Sequence, residues 1–76
     1  MPHRYPINLF WSEEDERWIA DVPDLTWCSA HGPTPEAALA EVETAIAAWL
    51  AVQAKAGRPA PEPRYRPAIY AARDAA

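Results

Sequence analysis

A single cysteine among 76 residues rules out an internal disulfide. There is no basic-then-apolar leader and no long uncharged span, so neither export nor a membrane is expected, and the cytoplasm is the expected compartment. Cations are scarce where they would matter most. Before Gly57 nine acids face only Arg4, Arg17 and Lys55, a balance of −6. Phosphate binding draws on clustered Lys and Arg, so the body is not expected to bind nucleic acid alone, and a basic protein suits it better as a partner. His3, His31 and the scattered carboxylates lack metal-ligand spacing, so no metal and no cofactor are expected. Internal repeats are absent as well.

What is present is apolar. Half the residues are apolar and four are Trp, more large apolar surface than one small domain needs, and some of it is expected at an interface. The stretch from Thr34 to Lys55 reads as one amphipathic helix. Thr34 is placed as N-cap, Pro35 fits the first helical position, and Gly57 offers a left-handed stop. Leu39, Val42, Ile46, Trp49 and Gln53 recur at helical spacing, with Ala38, Ala45 and Leu50 widening the stripe.

Ahead of the helix, Tyr5 to Trp11 and Arg17 to Val22 alternate at the strand period, joined by the acidic run Ser12 to Glu16. Met1 to Arg4 read as a frayed start. If Ser12 to Glu16 is the loop, Trp11 faces Arg17, Phe10 faces Trp18 and Leu9 faces Ile19. Ile7, Leu9, Trp11 and Ile19 would then oppose Phe10, Trp18, Ala20 and Val22. A single helix covers only one of these apolar faces, so self-association as a dimer or tetramer is expected to cover the other. Pro23 and Asp24 break the second strand, and Trp27 to Ala30 read as a short third strand ending at His31-Gly32-Pro33.

The expected fold is therefore α+β, a three-stranded antiparallel sheet on one long helix, with residues 1–57 as the domain. Residues 58–76 form a Pro-rich exit and tail with a balance of +2, in which Ala68 to Tyr70 offer a fourth strand and the Ala-rich end beyond Ala71 a turn of helix or disorder.

The order strand, acidic turn, strand, then Val22-Pro23-Asp24-Leu25, Cys28, Gly32, Thr34 and Glu36-Ala37-Ala38 opening a helix resembles the HicB-like antitoxin family. The likeness runs from about Tyr5 to Pro63. It implies a partial RNase H-like fold and a role in neutralising a small basic HicA-like toxin that cleaves mRNA. Trp27 stands where the family commonly has glycine, and Pro33 where an acid usually precedes the threonine. Many members continue into a DNA-binding domain, whereas this sequence ends soon after Tyr70, so direct DNA binding is not expected. The alternative function is an orphan HicB-like interaction module without a toxin.

No catalytic residue is expected. Two-metal phosphodiester chemistry needs carboxylates converging from separate elements, and Glu13, Glu14, Asp15 and Glu16 read instead as a solvated loop. His31 and Cys28, three apart along a strand, fall on opposite faces and make no thiol–imidazole pair. Tyr65 and Tyr70 with Arg64 and Arg66 have the chemistry to stack on RNA bases, which tail docking on a neighbouring subunit explains as well. The candidate partner contacts are Trp27, Asp24 and His31, led by Trp27 because Trp is enriched at interface hot spots, with core packing or self-association as the competing reading that ordinary burial tendencies favour.

Overall fold

The computed structural model describes residues 3–74, without the Asp74 side chain. Strands β1 (Asn8–Ser12), β2 (Arg17–Asp21) and β3 (Ser29–Gly32) precede the long helix α1 (Pro35–Lys55), and a short helix α2 (Ala68–Asp74) closes the chain. The sheet is antiparallel throughout in the order β1-β2-β3. This is the expected α+β class.

The register differs from expectation by one residue. Ser12 pairs with Arg17, Trp11 with Trp18, Phe10 with Ile19 and Leu9 with Ala20, because the loop is Glu13 to Glu16 and Ser12 belongs to the ladder. Glu16 takes φ 51°, and Ser12 Oγ accepts from the Asp15 amide at 3.2 Å, which closes the turn one residue later. Since side chains alternate, that shift reassigns faces. Leu9, Trp11, Trp18, Ala20, Ala30 and Gly32 share the helix side, while Asn8, Phe10, Ser12, Arg17, Ile19, Asp21, Ser29 and His31 share the open side. The open side is thus mostly polar, with Phe10 and Ile19 as its apolar row. The second uncovered apolar face does not exist in the form expected.

Helix α1 is built as its ends foretell. Thr34 Oγ1 accepts from the Ala37 amide at 3.1 Å with Pro35 following as the first helical residue. At the other end the Arg58 amide donates to Gln53 O and the Gly57 amide to Ala54 O, with Gly57 at φ 71°, the paired bonds of a Schellman stop. Ala38, Val42 and Ile46 are buried, joined by Ala45, Trp49 and Leu50 at the edge of the core. By length and composition α1 could cross a membrane. Here it packs one face on the sheet while Glu36, Glu41 and Lys55 face solvent, the arrangement of a small soluble-type domain. Leu39 is exposed, contrary to its place in the stripe, because α1 lies over β3 and β2 and only skirts β1. Leu9 and Trp11 are left partly uncovered for the same reason.

Between β2 and β3 two consecutive turns share Leu25. The Leu25 amide donates to Val22 O and the Cys28 amide to Leu25 O, both at 3.1 Å, and Leu25 itself is fully buried. Trp27, third residue of the second turn, has φ 62°, so the third strand begins at Ser29 rather than at Trp27.

The chain ends depart from expectation too. The expected fray over Met1 to Arg4 falls outside the described residues at residues 1–2. His3 is tied down: its Nδ1 accepts from the Tyr5 amide, which leaves the proton on Nε2 to donate to Glu43 Oε2 at 3.1 Å. The tail adds no strand among the described residues; Ala68–Asp74 is helical, in keeping with its Ala content and Arg73 in the last turn. Its approach is pinned twice, by the Tyr5 hydroxyl donating to Pro61 O at 2.6 Å and by Asp24 Oδ2 accepting from the Arg64 and Tyr65 amides at 3.1 Å each.

Burial first, then the Glu62 and Asp24 carboxylates, pushes the Tyr5 phenol above its ordinary value of 10.0. A raised value means the native state holds this proton more tightly than the unfolded chain does. That stabilisation is fully present below pH 10.0 and is lost as pH rises through the elevated value. The thermal midpoint is therefore expected to carry an alkaline loss, beginning above about pH 10, that Tyr5→Phe removes; identical alkaline profiles for the two proteins would refute the assignment.

Candidate partner-binding surface

Position 27 carries a backbone that glycine adopts freely and a side chain that is almost wholly in water. Trp27 is 96% exposed and holds φ 62°, a conformation that costs a non-glycine residue about 1–2 kcal/mol. The turn that displays it is rigid for identifiable reasons. Leu25 anchors the turn in the core, and the Trp49 indole N–H donates to Thr26 O at 2.9 Å from the last part of α1. Trp27 borders an open groove of about 510 Å³ between this turn and α1, walled by Trp49, Ala48, Val52, Gln53 and Arg58. Val52 is itself 66% exposed, so Trp27 stands at the rim of an apolar recess.

The other two candidate contacts sit elsewhere. Asp24 lies on the first of the two turns, where its carboxylate is already occupied by two tail amides, and its role in the structure is to fasten the tail. His31 lies on the open side of β3, opposite Ile19 and in one row with Phe10. Of the three, only Trp27 lines the groove; Asp24 lies on the adjoining turn and His31 on the open side of the sheet.

Cys28 faces the core and is nearly fully buried, whereas His31 is exposed on the opposite side, so the two form no nucleophile and base pair. Burial, reinforced by Asp21, raises the Cys28 thiol above its ordinary value and keeps it protonated. Thiol labelling of the native protein is expected to be slow and to become rapid on unfolding; fast labelling at neutral pH would contradict this placement. Glu13, Glu14, Asp15 and Glu16 are all exposed at the hairpin tip, and among the described residues no three His, Cys, Asp or Glu side chains assemble a metal-binding group.

The tip and the Trp27 turn lie at opposite ends of β2, so the densest negative charge is a strand's length from the exposed indole. Sequence reasoning missed the Trp49 to Thr26 bond and the Asp24 clasp on the tail. Helical spacing marked Trp49 only as core, and nothing local in Pro23-Asp24 names an acceptor for amides forty residues away. Searches of protein-family models, of curated proteins and of solved structures give no match to this chain.

Proposed function

We propose that this chain is a HicB-like antitoxin that works in the cytoplasm by binding a small basic ribonuclease toxin and covering its RNA-binding surface. The observation that carries the reading is Trp27, a large apolar ring kept in water on a rigid turn, at the cost of a strained backbone. The resembled family commonly has glycine at this position, and φ 62° is a conformation that glycine adopts freely, so the backbone here suits that pattern although the side chain departs from it. An acidic body with a balance of −6 before Gly57 draws in a cationic partner, and the recess beside Trp27 supplies the desolvated centre of contact.

The inhibition is steric: no catalytic group is required of this chain, only a surface that competes with RNA for the toxin. Coexpression with the product of the adjacent reading frame, where that is a short basic protein, is expected to yield a copurifying complex and to restore growth. A neighbouring basic ribonuclease that neither copurifies with this chain nor loses activity in its presence would overturn the toxin reading and leave the orphan interaction module.

A further inference from the structure

Helix α2 is seven residues long and packs against none of the other elements among the described residues. A helix that short does not persist alone in water, where about 12–15 residues are needed even for favourable sequences. It is also apolar where it is bare: Ile69 is 64% exposed, and Tyr70 is exposed between the guanidinium groups of Arg66 and Arg73 at 5.3 and 5.5 Å from its ring. The chain as a whole is stretched by this arm. Its radius of gyration is 13.9 Å, against about 11 Å for a compact globule of this length.

The body carries a recess of fitting chemistry. Along the flank of α1, His3, Glu43, Thr44, Ile46, Ala47 and Leu50 enclose a groove of about 450 Å³ with mostly apolar walls. Thr44 and Ala47 are small and leave room for a second helix to approach closely, while Ile46 and Leu50 form the floor. Glu43, which accepts from His3 in the same wall, gives the groove a carboxylate, and the arm is basic. The chain's own α2 is held off this groove. Tyr65 is fastened to Asp24, and only Arg66 and Pro67 separate it from the first residue of α2.

We propose that α2 docks in this groove on a second copy of the chain, and that two copies exchange arms reciprocally. The Pro-rich exit, pinned at Pro61 and at Arg64-Tyr65, is then a strut that presents the helix outward. Ile69 and Tyr70 enter between Ile46, Ala47 and Leu50, and the arm's arginines face the acidic body of the partner. The pairing is isologous, so each contact occurs twice. It replaces the open sheet face, whose polar residues make it a poor self-association surface, and it leaves the Trp27 groove free. The inference does not depend on the antitoxin reading.

Two exposed positions test it without disturbing the core: Ile69→Asp on the arm and Ala47→Arg in the groove, each checked for an unchanged far-UV circular dichroism spectrum. Sedimentation velocity of the full chain up to about 100 µM is expected to show a dimer, and each substitution to weaken it at least about ten-fold. Mixing the two variants is expected to recover part of the association, since one intact arm then meets one intact groove. A wild-type chain that is monomeric at that concentration overturns the proposal. So does a dimer indifferent to both substitutions, and so does a monomer whose Ile69→Asp variant loses only its protein partner.

Discussion

Replacing Trp27 by alanine is expected to weaken partner binding by about 30- to 1,000-fold, or about 2–4 kcal/mol, while leaving the fold intact. The second half of that expectation follows from exposure. Since 96% of Trp27 is in water, its removal exposes nothing and opens no cavity. Trp27→Gly sharpens the test. Glycine relieves the cost of φ 62° but loses chain entropy in the folded state, so net stability is expected to hold or rise by up to about 1 kcal/mol. Binding, in contrast, is expected to fall as far as with alanine. Calorimetric titration and thermal unfolding of the same samples separate the two effects; a Trp27→Gly protein that binds normally would remove the indole from the interface, and one that unfolds early would return it to the core.

Gly32→Ala is expected to be the most damaging single methyl in the chain. A Cβ at Gly32 would lie 2.7 Å from the Ala38 amide nitrogen, 2.8 Å from Ala37 Cβ and 2.9 Å from Ala37 C. These atoms belong to the first turn of α1, whose cap and hydrogen bonds prevent them from yielding separately, so strand and helix must part together. Overpacking of this kind costs about 1–3 kcal/mol, and backbone partners place it at the upper end. For a domain of this size a loss of about 3 kcal/mol lowers the thermal midpoint by about 12–24 °C. Gly57→Ala is the instructive control. Nothing lies within 4 Å of its added Cβ, but its φ of 71° opposes a side chain, and the expected cost is only about 1–2 kcal/mol. Equal melting points for the two variants would show that close strand-to-helix packing is not what holds α1 down.

Helix α1 was legible in the sequence because all its signals agree: Thr34 and Pro35 at the start, Gly57 at the end, and Ala38, Val42 and Ile46 at helical spacing between them. The strand order was legible for a similar reason, since each break carries Pro or an acidic run. The register was not. A polar tip of similar residues gives no local reason to assign Ser12 to the loop or to the ladder, and only the geometry of Asp15 and Glu16 decides it. The exposure of Trp27 fits its place after a turn, but its positive φ has no signature in a residue that rarely adopts it. The helical tail had one in its alanines, which offered a turn of helix beyond Ala71; the helix begins earlier, at Ala68, in the stretch read as a candidate strand.

Each side chain of β1 owes its side of the sheet to a connector of four residues, Glu13 to Glu16. All four side chains of that connector are in solvent, and only Asp15 is tied back, accepting from Ser12 Oγ at 3.3 Å; what the connector fixes above all is length. One residue added or removed there would turn Phe10 inward and Leu9 and Trp11 outward, and the molecule would present a different skin to every partner while keeping an almost identical composition.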